Sequence, residues 1–128
     1  MLKITQFQGK YRFLSNFYPA PVMAHGLLFP TVEHAYQALK TLDVSSIKAI
    51  HKAVSPGDAK HMGKLVPMRD GWEDIKLEVM QELLCQKFQH KHLLDALLAT
   101  GDAELEEGNW WHDTFWGIYN GKGENHLG

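Results

Sequence analysis

Two carboxylates and a group of tryptophans carry the chemistry that this chain could perform. The stretch "GNWWHDTFWG", residues 108–117, gathers three of the four tryptophans around His112 and Asp113. Indoles beside a carboxylate suit a slot that stacks a flat ring next to a charge. Asp before Thr is equally the residue type of a turn. The second carboxylate is Glu33, in "TVEHAYQALK". An acidic side chain in a helix's first turn is favoured by the helix dipole. Glu33, Gln37 and Lys40 recur at i, i+4 and i+7, a polar stripe that by itself reads as a solvated helix face. Trp72 falls on the apolar stripe of a long helix, where packing in the core is its ordinary role.

Other chemistries find less support. The chain has eight histidines but no pair spaced one helical turn apart with a glutamate between, and no cysteine set to complete a zinc site. A resident metal is therefore not expected, and neither is another cofactor. The one cysteine, Cys85, excludes an internal disulfide. It lies in an apolar helical pattern and is expected to be a buried, inert thiol. "NGKGENHLG" lacks the order of a phosphate-cradling GxxxxGK[ST] loop. The net charge is −2, and the Lys and Arg residues are scattered, which argues against a broad surface for nucleic acid. No apolar run reaches the ~20 residues of a membrane span, and "MLKITQFQGKYRF" has no apolar signal core. A cytoplasmic location is expected.

The elements that must position these residues follow from periodicity. With 128 residues, one domain over 1–128 is expected. "KITQF" and the aromatic "KYRFLSNFY" read as short strands, and "VMAHGLLF" as two strands around a turn at His25-Gly26. Helical spacing begins after Pro30, with Thr31 as N-cap and an apolar stripe of Val32, Ala35, Tyr36, Leu39 and Leu42. "SSIKAIHKAV" is a second helix, capped by Ser45 or Ser46. "SPGDAKHMGKL" opens a third from Ser55, with Pro56 at its first position. "DGWEDIKLEVMQELLCQKF" is a long helix whose Asp70 and Glu73 resemble a capping box. "HLLDALLAT" is a further helix that Gly101 ends. The fold class is α+β, mainly helical, with short β-strands near both termini.

Taken in order, "FLSNFYPAPV", "FPTVEHAYQALKT", "GDAKHMGK", "WEDIKLEVMQELLCQKFQHKHLLDALLATGDAELEEGN", "WHDTFWG" and "GKGENHLG" resemble the NADAR (YbiA-like) family over about residues 11–128. The resemblance implies an N-glycosidase that hydrolyses the bond between a ribose carbon and a nitrogen. It implies early phosphorylated riboflavin-pathway intermediates or ADP-ribose adducts, such as ADP-ribosylated guanine in nucleic acid, as substrates. The family's "PT-x-EH" glutamate falls on Glu33, its helix-opening tryptophan on Trp72, and its "D-x-x-WG" residues on Asp113 and Trp116. Asn16, Phe17, Lys40 and Asn125 fall on other motif positions in or near the implied pocket. Most relatives continue past "N-x-LG" with a segment of the type "LM-x-x-R", whereas this sequence stops at Gly128.

With that resemblance, the two carboxylates acquire roles. Cleavage of an N-glycosidic bond passes through an oxocarbenium-like state, which one carboxylate stabilises while a base activates water. Glu33 and Asp113 divide these tasks, Trp72 and Trp116 stack the base or clamp the sugar, and Lys40 or Lys60 meets a phosphate. The indoles are expected to form a dry slot with Asp113 at its mouth. The alternative is a non-catalytic module that binds ADP-ribose or a nucleotide.

Overall fold

A computed structural model describes residues 2–128. The described residues divide into two compact units, residues 16–93 and residues 2–15 with 94–128.

In residues 16–93, β2 (Val22–Ala24) and β3 (Leu27–Phe29) form an antiparallel hairpin with Val22 opposite Phe29 and Ala24 opposite Leu27. Both residues of its two-residue loop, His25 and Gly26, take positive φ, which matches the twist of the strands. The helices α1 (Val32–Leu39), α2 (Val44–His51), α3 (Pro56–Gly63) and α4 (Trp72–Lys87) follow. The first of these is the organising element, with α2, α3, α4 and both hairpin strands against it. All residues from Val32 to Ala38 are buried, including Glu33, His34 and Gln37. The polar stripe on α1 is therefore not a solvated face, contrary to what its spacing suggests. The core around it contains Val22, Phe29, Val32, Ala35, Ala38, Ile50, Ala59 and Leu83.

Helix starts agree with the sequence in two cases and depart from it in two. Thr31 caps α1 and Ser55 caps α3, each accepting from the backbone N–H three residues on. The α2 cap is Asp43 rather than Ser45 or Ser46; its Oδ2 accepts from the Ser46 N–H at 3.0 Å and the Ser46 hydroxyl at 2.6 Å. These bonds hold the Asp43 carboxyl below its ordinary pKa. At α4 there is no capping box. Gly71 precedes the helix at φ 76° with no side-chain cap, so a left-handed turn sets the start. Helix α1 also ends earlier than expected, which leaves Leu42 exposed. Cys85 is exposed on α4, not buried as its apolar neighbours suggested.

The other unit pairs β1 (Lys3–Ile4) in parallel with β4 (Glu104–Leu105). "KYRFL" is not a strand. Gly9 turns the chain at φ 60°, and residues Gly9–Leu14 form a 3-10 helix. Helix α5 (Lys91–Leu98), in which the division between units falls, is followed by Gly101 at φ 60°. Residues 124–127 run along 114–116, with Glu124, His126 and Leu127 N–H groups donating to the Thr114, Phe115 and Trp116 carbonyls. No helix among the described residues is long and apolar enough to cross a membrane. The observed class is the expected one, mainly helical with few short strands.

Candidate functional site

Within residues 16–93 the candidate site is the buried stripe of α1. Glu33 stands in the first turn and is 7% exposed. Its backbone N–H donates to the Asn16 carbonyl at 3.1 Å, which ties the "SNF" segment to the start of the helix. Gln37, one turn on, donates from Nε2 to Glu33 Oε1 at 3.3 Å. Lys40 closes the stripe, its Nζ 5.5 Å from the centroid of the Tyr36 ring. Burial lowers the Lys40 pKa; the negative charge of Glu33 opposes that, and Lys60 and Lys76 add to it. Lys40, Lys60 and Lys76 therefore share one electrostatic neighbourhood with Glu33 and Glu73. Lys76 is itself bridged to Glu73 at 2.6 Å.

Trp72 opens α4 and is 3% exposed, its ring 5.2 Å from Tyr36 and tilted by 56°. It packs against Tyr36 of α1, and almost none of its surface is open for stacking. Phe17, by contrast, is exposed. Asn16 donates weakly to Met80 Sδ at 3.6 Å. Two buried acceptors have no partner among the described residues, Asn16 Oδ1 and Gln37 Oε1.

Residues 94–128 hold the remaining residues singled out in the sequence: Asp113, Trp116 and Asn125. Asp113 Oδ1 accepts from the N–H groups of Phe115 and Trp116 at 3.1 and 3.0 Å, a turn motif. Its own N–H donates to Asn109 Oδ1 at 3.0 Å, and its carbonyl accepts from Asn109 Nδ2 at 2.8 Å. Asn109 also donates to Glu107 Oε2 at 3.0 Å. This bracing explains the asparagine four residues before the aspartate. Gly117 follows Trp116 because a side chain there would strike Glu107. Asn125, at φ 55°, spends its amide on the backbone, accepting from Glu107 N–H at 3.0 Å and donating to Leu105 O at 2.8 Å. The dry slot of three indoles is not seen: Trp110 is 75% exposed, and it meets Trp111 edge to face at the surface.

Four of the eight histidines have structural work. His25, His34, His51 and His90 each donate from Nε2 to a backbone carbonyl, of Ala38, Ala53, Leu28 and Pro21 respectively. No group of three or more His, Cys, Asp or Glu side chains is placed to hold a metal ion among the described residues. Gln37 is the residue whose part in the site the sequence did not disclose. Its place in the stripe beside Glu33 was the only signal.

Known proteins resemble the chain along nearly its whole length. The NADAR domain family model matches residues 4–128. N-glycosidase YbiA of Shigella flexneri serotype 5b (strain 8401) is 42% identical over 122 residues, 92% of this chain and 76% of that protein. An N-glycosidase of Nostoc punctiforme is 38% identical over 125 residues, covering 92% of this chain and 80% of its own. A riboflavin biosynthesis protein of Vibrio vulnificus (strain YJ016) is 39% identical over 120 residues, 91% of this chain and 32% of that protein. The NMR structure of E. coli YbiA superposes with a TM-score of 0.82 at 38% identity, over 99% of this chain and 80% of that one. With one family model spanning both units and relatives this similar, the chain belongs to the NADAR domain family, in the company of proteins named N-glycosidases.

Proposed function

We propose that this chain is a metal-independent N-glycosidase acting on a ribosyl C–N bond, with Glu33 as a catalytic carboxylate. The observation that carries the reading is the burial of Glu33 in the first turn of the central helix, held by Gln37, in a chain 42% identical to an N-glycosidase. A carboxylate kept from water acts on charge far more strongly than one on a solvated face.

In the proposed reaction the C–N bond breaks and its electron pair leaves with the nitrogen, which is then protonated. The anomeric carbon gains positive character, and a carboxylate opposite it lowers that barrier. Water adds to the carbon and gives up a proton, so the products are the free base and the ribosyl moiety with its phosphate still attached. Glu33 stabilises the cation or takes the water's proton. Asp113, which the sequence resemblance assigns to the same chemistry, is proposed as the second carboxylate, and its part is tested by its own substitution. Lys40 and Lys60, in the electrostatic neighbourhood of Glu33, are proposed to meet a substrate phosphate. Asn16, Phe17, Trp72, Trp116 and Asn125 complete the proposed set of binding or wall-forming residues.

The name of the Vibrio relative, a riboflavin biosynthesis protein, favours a phosphoribosylated aminopyrimidine as substrate over an ADP-ribose adduct. Incubation with each substrate in the presence of EDTA, followed by mass spectrometry, tests the reading. Release of pyrimidine without a metal supports it. Release only from ADP-ribosylated guanine moves the substrate class. Tight binding of ADP-ribose with no release from either substrate would make the protein a binding module.

A further inference from the structure

Gln37 is 3% exposed, yet only half of its amide has a partner. Its Nε2 donates to Glu33 Oε1 at 3.3 Å. Because an ionised carboxylate only accepts, that bond fixes the amide with nitrogen toward Glu33 and oxygen away from it. The amide is also held from α3. Gly63 lies directly against it, and a Cβ at that position would run into Gln37 Oε1 and Cδ. Glycine there leaves the space that the amide occupies. Asn16, whose carbonyl takes the Glu33 N–H, has a second buried oxygen with no partner, Oδ1. Buried polar atoms without partners are rare, and both of these are acceptors. A group that completes them must bring hydrogen-bond donors.

We infer that Gln37 is a positioning residue with two faces: its Nε2 aims the Glu33 carboxylate, and its Oε1, with Asn16 Oδ1, accepts from hydroxyl groups of the ribosyl moiety. The inference rests on the reading of Glu33 as a catalytic carboxylate. Hydroxyls are the donors that a ribosyl substrate carries next to its anomeric carbon. Accepting their protons orients the sugar on the same amide that orients the carboxylate, so the reacting carbon and Glu33 are registered by one side chain. A methyl group at Gly63 would run into the accepting Oε1 itself and so disturb that registration.

The test measures kcat and KM for Gln37→Met, which keeps the shape and removes both hydrogen-bonding faces, and for Gly63→Ala. Each uses the ribosyl substrate and its 2′-deoxy and 3′-deoxy analogues. Wild type is expected to prefer the ribosyl substrate over at least one deoxy analogue by about tenfold or more in kcat/KM. In Gln37→Met that preference collapses toward one and kcat falls. A purely structural role would lower all three substrates alike and keep the preference. Unchanged preference in folded Gln37→Met and in Gly63→Ala, with Glu33→Gln inactive, overturns the role of Gln37 and spares that of Glu33. Full activity in Glu33→Gln overturns both. If Gln37→Met does not fold, Gln37→Glu, which keeps the acceptor and places a second carboxylate at Glu33, is expected to retain the preference with a reduced kcat. Wild-type kcat in that variant would overturn the inference.

Discussion

Thr31 and His34 bond each other twice at the start of α1. The His34 N–H donates to Thr31 Oγ1 at 3.1 Å, and the Thr31 hydroxyl donates to His34 Nδ1 at 2.8 Å. The far side of the ring, Nε2, donates to the Ala53 carbonyl at 3.1 Å. Between these two residues stand Val32 and Glu33, so the candidate carboxylate is presented by a cap with a neutral imidazole built into it.

That imidazole makes stability depend on pH. Burial lowers the His34 pKa; the Ala53 carbonyl opposes this, and His51 adds to it. A base with a depressed pKa binds protons more weakly folded than unfolded. Its contribution is therefore complete above the unfolded value of about 6.5 and is lost as pH falls through the folded value. Thermal midpoints measured from pH 7.5 to pH 5 should drop, and the drop should be smaller in His34→Gln. Identical pH profiles for the two proteins would contradict this assignment.

Thr31→Ala removes the cap and the hydroxyl donor together. Loss of an N-cap costs about 1 kcal/mol, within a range of roughly 0.5–2. Urea denaturation should show a shift of that size, and activity should fall more than stability because Glu33 is two residues away. Thr31→Ser, which keeps both bonds, should restore both readouts.

Much of this local architecture is written in the sequence, and the exceptions have physical causes. Thr31 and Ser55 are readable because a cap needs only a hydroxyl three residues before an amide. The hairpin is readable because His25-Gly26 supplies the positive φ that its turn needs. The burial of Glu33 and Gln37 is not readable from α1, since it is imposed by α2, α3 and α4 packing around it. Cys85 and the start of α4 depart from their local patterns for the same reason: apolar neighbours and an Asp–Glu pair are local signals, whereas exposure and the turn at Gly71 are set by the tertiary fold. The family motifs brought out Glu33 and Asp113, but not the amides that hold them.

Asp113 offers a separation of structure from chemistry. Asp113→Asn keeps an oxygen for the Phe115 and Trp116 amides, so its stability should stay within about 1 kcal/mol of wild type. Asp113→Ala leaves both amides without that acceptor and should cost about 1–3 kcal/mol. If Asp113 also serves hydrolysis, Asp113→Asn should lose about a hundredfold or more in kcat while remaining folded. A folded, fully active Asp113→Asn would reduce the residue to its turn.

Lys87 gives a second and opposite view of buried charge. Its side chain is fully buried in the last turn of α4, with Nζ 5.1 Å from the Phe88 ring centroid, and burial lowers its pKa to about 7. The depressed base again favours the folded state at high pH. Stability should rise between about pH 7 and pH 10.5, by up to the order of 5 kcal/mol from this group alone. Denaturation of Lys87→Met across that range should lack the rise. A rise of equal size in the variant would place its origin elsewhere.

The central claim is that Glu33 carries the hydrolysis of a ribosyl C–N bond. Its most direct test is single-turnover release of pyrimidine from a phosphoribosylaminopyrimidine, followed by mass spectrometry in EDTA, for wild type and Glu33→Gln with matched thermal midpoints. Wild type should release the base, and Glu33→Gln, whose amide cannot stabilise a cation or take a proton, should be slower by about a hundredfold or more. Equal rates from two folded proteins would contradict the claim.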